Sequence, residues 1–156
     1  MDENELLGSV RHIALATVNE DGSPHNTPLF FAIDDKFENL IFVSRVSSLH
    51  SRNLLRTGEA FATIFDSNEF HGGIYLKLEN ARIADGDEFK NCLKVFENKC
   101  KELDNSVLPS NFYLIDDGYR LFVLDINKVE VYGSVEDEKG KLIKEQRREI
   151  DRKELL

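Results

Sequence analysis

"LIFVSRVSSLHSRNLLRTGEAFATIF", residues 40 to 65, holds a strand, a helix and a second strand in immediate succession. The opening "LIFVS" is a short apolar run of strand length. Ser47 or Ser48 then offers an N-cap, Leu49, Leu54 and Leu55 supply apolar positions, and Gly58 stops the helix. "EAFATIFDS" resumes as strand, with Phe61 and Phe65 set among Ala62 and Ile64. A helix inserted between two strands is the unit from which the rest of the fold is read.

On the N-terminal side, residues 2 to 8 read as a short helix capped by Asp2 and stopped at Gly8. "HIALATV", 12 to 18, is apolar or small on both faces, which suits a strand covered on both sides. "NEDGSP" supplies an Asp-Gly turn, and "NTPLFFAID" is the returning strand with Pro28 near its start. After the turn "DDKFEN" comes the strand 40 to 44, so three strands form a meander. The Asp34-Asp35 pair within that turn reads as turn chemistry.

On the C-terminal side, "GGIYLKLENARIAD" is a longer strand with Ile74, Leu76 and Leu78 on one face. Its other face, Tyr75, Lys77 and Glu79, meets water or a partner chain. "DEFKNCLKVFENKCKEL" places Phe89, Cys92, Leu93, Phe96, Cys100 and Leu103 at helical spacing. Cys92 and Cys100 lie about 12 Å apart along that helix, too far for a disulfide, and read as buried thiols. "DNSVLPSN" is a loop, and "YRLFVLDINKVEVYG" supplies one or two closing strands. The expected organisation is a domain over residues 1–135 and a tail over 136–156. The tail carries seven basic and seven acidic side chains and reads as a solvated helix or disordered chain. Six or seven strands with helices between them indicate a small antiparallel barrel, an α+β or mainly-β fold.

The chain is acidic, 29 Asp and Glu against 20 Lys and Arg, which disfavours nucleic-acid binding. No apolar run reaches membrane-spanning length, and MDENELLGSV lacks the features of a secretory signal, so a cytoplasmic protein is expected. Against this background the window from Asn39 to Gly58 contains no acid, yet it holds Arg45, His50, Arg52 and Arg56. Hydroxyls of Ser44, Ser47, Ser48 and Ser51 gather where the helix begins. Backbone N–H groups and the positive end of a helix dipole make such a corner a phosphate cradle. A serine-capped surface helix with solvated arginines would show the same composition. His12, His25 and His71 have no metal-ligand spacing, and no GxSxG elbow is present. With no evident general base, an enzyme built on this chain needs a cofactor.

The order "LATVNEDGSPHNTPLFFAID", "FVSRVSSLHSRNLLRTGEAFATIFDS", "GGIYLKLENARIADGDE" resembles the pyridoxamine 5′-phosphate oxidase-like family of FMN-binding split barrels, over residues 8 to 133. The resemblance implies a mainly-β (α+β), six-stranded antiparallel split β-barrel with flanking helices. It also implies a homodimer with FMN at the interface, acting as an oxidoreductase on a small substrate. By analogy Asn26, Thr27, Pro28 and Leu29 line the isoalloxazine edge, followed by Val43 and Ser44. Ser48 and His50 take the phosphate, with Ser51 and Asn53 nearby. His50 stands where many members carry lysine. Phe30, Phe31, Phe65, His71 and Tyr75 are candidate walls or core, and His71-Gly72-Gly73 a cover or an ordinary turn.

The chain has no Trp and lacks the Arg-Pro and Trp-Gly ending of true pyridoxamine phosphate oxidases, so vitamin B6 oxidation is not implied. A rival reading is a non-catalytic module holding haem, deazaflavin or nothing. In the haem case His25, His50 or His71 would serve as axial ligand.

Overall fold

A computed structural model of the chain describes residues 2–68, 72–104 and 118–155. Helix α1, Glu3–Ser9, begins at a capping box in which Asp2 and Glu5 bond each other's backbone N–H. Strand β1, His12–Val18, pairs antiparallel with β2, Pro24–Phe30. The expected continuous strand from Asn26 is broken at Phe31, which is buried, and continues as the two-residue β3, Ala32–Ile33. That break lets β2 pair with β1 while β3 pairs with β4, Asn39–Arg45.

Helix α2, Leu49–Thr57, ends at Gly58, whose φ of 74° is the left-handed cap conformation. Its N–H reaches Leu54 O at 2.7 Å. Strands β5, Ala60–Ile64, and β6, Ile74–Ile83, follow, then helix α3, Gly86–Asp104. Strand β7, Tyr119–Glu136, is 18 residues long, and β8, Leu142–Glu149, lies beside its second half. The calls on His71 and on the loop from Asn105 to Asn111 fall outside the described residues.

The sheet order is β2-β1-β5-β6-β7-β4-β3, with β8 paired to β7 off this path. This curled antiparallel sheet forms a half-barrel with flanking helices. Its inside is filled by Ile13 and Leu15, Leu40 and Phe42, Ile64, Ile74, Leu76 and Phe122. Phe42 and Phe122 face each other across β4 and β7 with rings stacked at 5.2 Å. The opposite face of those strands, Ile41, Leu121 and Val123, packs with Cys92, Phe96 and Cys100 of α3. Strand β4 is therefore covered on both sides, and this is why "LIFV" shows no polar alternation. Among the described residues no helix is long and apolar enough to cross a membrane.

The tail departs from expectation. Most of the described part of residues 136–156 is strand, with β8 paired to β7 from Glu130↔Glu149 to Glu136↔Leu142, and only Arg152–Leu155 forms a short 3-10 helical turn. Ile150 and Leu155, beyond β8, join the barrel core. The proposed boundary between 135 and 136 falls inside β7. Composition concealed the strand because its described residues are exposed, so no apolar period marks either face. Its anchor is polar: the Arg147 guanidinium lies 3.7 Å from the Tyr75 ring centroid on the outer sheet face.

Candidate functional site

Strand alternation decides what the end of β4 presents. Val43 turns to the α3 cluster, while Ser44, only 7% exposed, shares the barrel-side phase of Phe42. The chain then turns, with Ser48 N–H donating to Arg45 O at 3.1 Å, and α2 begins. Ser48 is the N-cap, yet its side chain makes no capping hydrogen bond. Its hydroxyl instead donates to Arg45 O at 2.8 Å and lies 2.7 Å from Ser51 Oγ. The first turn of α2 holds no acid, so its N–H groups and dipole remain available to an anion.

His50 closes the cluster. Its Nε2 is 2.7 Å from Ser44 Oγ and 3.2 Å from Ser48 Oγ, and the two hydroxyls are 3.3 Å apart. Burial pushes the imidazole pKa below its ordinary value, and the nearby His25 lowers it further. A neutral ring joined to serine hydroxyls is the result. Three hydroxyls, one imidazole and an uncapped helix start form a donor set that fits a phosphate group.

The remaining sequence-predicted residues divide. Asn53 faces away, its amide nitrogen donating to Thr17 Oγ1 at 3.1 Å and Asn19 Oδ1 at 2.9 Å. It thereby ties α2 to β1. On β2, Thr27 and Leu29 are half-buried and Asn26 and Pro28 are exposed. Thr27 Oγ1 lies 3.4 Å from His25 Nε2 on the half-buried face of β2, and β2 contacts α2. The structure thus gathers Ser44, Ser48, His50 and Ser51 with His25 and Thr27 beside them. Val43 and Asn53 point elsewhere, and Asn26 and Pro28 lie on the outside of β2.

Two arginines of the cationic window have structural partners as well. Arg45 sits 4.7 Å over the Tyr119 ring, and Arg56 donates to the Val18 carbonyl and to Asn53 Oδ1. Of the candidate walls, Phe31 is core, Phe30 meets Phe96 edge-on at 5.4 Å, Tyr75 lies under Arg147, and Phe65 is 49% exposed. Sequence reasoning passed over Thr17. The available signal was a hydroxyl in the inward phase of Ile13 and Leu15. Among the described residues no group of His, Cys, Asp or Glu is arranged to hold a metal ion.

No protein-family model matches the chain, and no curated protein matches it in sequence. Solved structures do match in fold. A Clostridium acetobutylicum protein related to general stress protein 26, of the pyridoxinephosphate oxidase family, superposes with TM-score 0.62 at 16% identity, covering 98% of this chain and 94% of that one. An F420 reductase superposes with TM-score 0.58 at 17% identity, covering 83% and 96%. A heme binding protein from Mycobacterium smegmatis gives TM-score 0.64 at 18% identity over 96% of this chain, which spans 58% of that longer one. The half-barrel with its inserted α2 is the fold of the pyridoxamine 5′-phosphate oxidase-like split-barrel proteins.

Proposed function

We propose that the chain is an FMN-binding flavoprotein of the cytoplasm, a homodimer with FMN at its interface, acting as an oxidoreductase on a small substrate. The observation that carries this reading is the Ser44–Ser48–His50–Ser51 cluster at the uncapped start of α2. It supplies hydroxyl donors and a titratable imidazole within an acid-free stretch of an acidic protein. The resemblance in the order of motifs supports FMN among phosphate-bearing ligands.

In this reading Ser48, Ser51 and the first-turn N–H groups of α2 hold the phosphate, and His50 donates a hydrogen bond to it. Asn26, Thr27, Pro28 and Leu29 run along β2 as the edge against which the ring is oriented, with Val43 and Ser44 at the end of β4. Asn53 acts at one remove, holding α2 on β1 through Thr17 and Asn19. Bound flavin supplies hydride transfer, so the chain itself needs no general base.

The test is the visible spectrum of protein purified without added cofactor, followed by FMN titration. Yellow protein that releases FMN on denaturation, and weaker binding by His50→Ala, support the reading. A haem Soret band, or colourless protein that fails to bind added FMN, rejects it.

A further inference from the structure

A phosphate monoester carries about −1.5 to −2 charges at pH 7. The side chains of the cradle answer it with neutral groups: the hydroxyls of Ser44, Ser48 and Ser51, and a His50 imidazole whose pKa burial pushes below its ordinary value. Three arginines lie in the acid-free window from Asn39 to Gly58. Arg45 is stacked over the Tyr119 ring, and Arg56 donates to the Val18 carbonyl and to Asn53 Oδ1. Arg52 is exposed and, among the described residues, has no hydrogen bond, ion pair or ring contact.

Arg52 is the fourth residue of α2, and its N–H donates to Ser48 O at 3.0 Å, closing the first turn. Residues four apart share a helix face, and the Cα–Cβ bond tilts toward the N-terminus. An arginine here therefore overlies the turn that Ser48 opens. The same position is unfavourable without an anion. A cation in the first turn opposes the helix dipole, no acid in that turn offsets it, and the N-cap hydroxyl makes no capping bond. Departures from local helix rules concentrate at functional sites.

We infer that Arg52 is the charge partner of the phosphate monoester at the start of α2 and selects it over the same ligand without a phosphate. The serine hydroxyls and first-turn N–H groups hold the phosphate, and the exposed guanidinium meets its outer oxygens through paired N–H donors. The inference rests on the phosphate site of the proposed function and adds to it the residue that sets its specificity.

Flavin fluorescence titration of FMN and riboflavin, with wild-type protein and Arg52→Gln, tests this. FMN is expected to bind about tenfold more weakly to the variant, the worth of one charge-assisted contact, with riboflavin affinity unchanged. Arg52→Lys should recover part of the loss, and added salt should weaken FMN binding less in Arg52→Gln than in wild type. Cofactor-free Arg52→Gln should melt about 1–3 °C higher than wild type, because the cation has left the helix start. Inorganic phosphate added to cofactor-free protein should raise the Tm of wild type more than that of the variant. Equal losses for FMN and riboflavin, an unchanged FMN affinity, or the same phosphate shift in both proteins overturns the inference. Protein that binds no FMN but keeps an Arg52-dependent phosphate shift removes the flavin reading alone.

Discussion

Ser44 Oγ and His50 Nε2 lie 2.7 Å apart, joining the last inward position of β4 to the second residue of α2. Burial and His25 depress the His50 pKa, so the native chain holds this proton less tightly than the unfolded one. The stability contributed by the neutral ring is therefore complete above the unfolded value of about 6.5 and is lost as pH falls toward the lower native value. Urea unfolding at pH 7.5 and 5.5 should show this loss, and His50→Gln should reduce it. An equal pH slope in both proteins would exclude His50 as its source.

An anion on the cluster reverses that sign. A bound phosphate dianion raises the His50 pKa, so binding takes up a proton. FMN affinity should rise as pH falls from 8 to 7, and His50→Lys should flatten the dependence and bind more tightly at pH 8. Fluorescence titration across that range is the measurement.

Asn53 is 1% exposed and serves Thr17, Asn19 and Arg56 together. Asn53→Ala leaves the buried Thr17 hydroxyl and the half-buried Asn19 carbonyl without their donor and should cost about 2 kcal/mol in urea unfolding. A change below half of that would mean that water replaces the amide.

Gly58 terminates α2 at φ 74° with open space where a Cβ would lie. Gly58→Ala therefore costs backbone strain alone, about 1 kcal/mol. Thermal unfolding should register a small fall in Tm with the FMN affinity retained.

Ending the chain after Lys139 removes β8 and takes Ile150 and Leu155 out of the core. Burial of two such side chains is worth about 3 kcal/mol or more, so the shortened protein should unfold markedly earlier in urea. A solvated tail would be removable at no cost, and an unchanged midpoint would restore that view.

What the sequence made legible follows from where each element's periodicity was written. Gly58, the serines before Leu49 and the apolar spacing of Phe89, Cys92, Phe96 and Cys100 are local signals, and each marks a helix seen in the structure. The break at Phe31 is a tertiary event, with adjacent residues serving different partner strands, and nothing local announces it. β8 was hidden because its partner is a strand edge and its described side chains stay in water. Within the site, Ser44, Ser48, His50 and Ser51 were legible as a cluster because eight residues of chain contain them all. The ties from Asn53 to Thr17 and Asn19 span more than thirty residues and required the fold.

The position of β7 has a consequence for biosynthesis. Strands β2, β1, β5 and β6 form one run of neighbours and β4 with β3 another, and Tyr119–Glu136 is the seam between them. While a nascent chain is shorter than this, β4 and β6 both lack a neighbour, and the ring of Phe42 lacks Phe122. Two half-sheets with open edges must therefore wait for the seam to leave the ribosome. This interval is the one in which strand-to-strand aggregation competes with folding and a chaperone has most to protect.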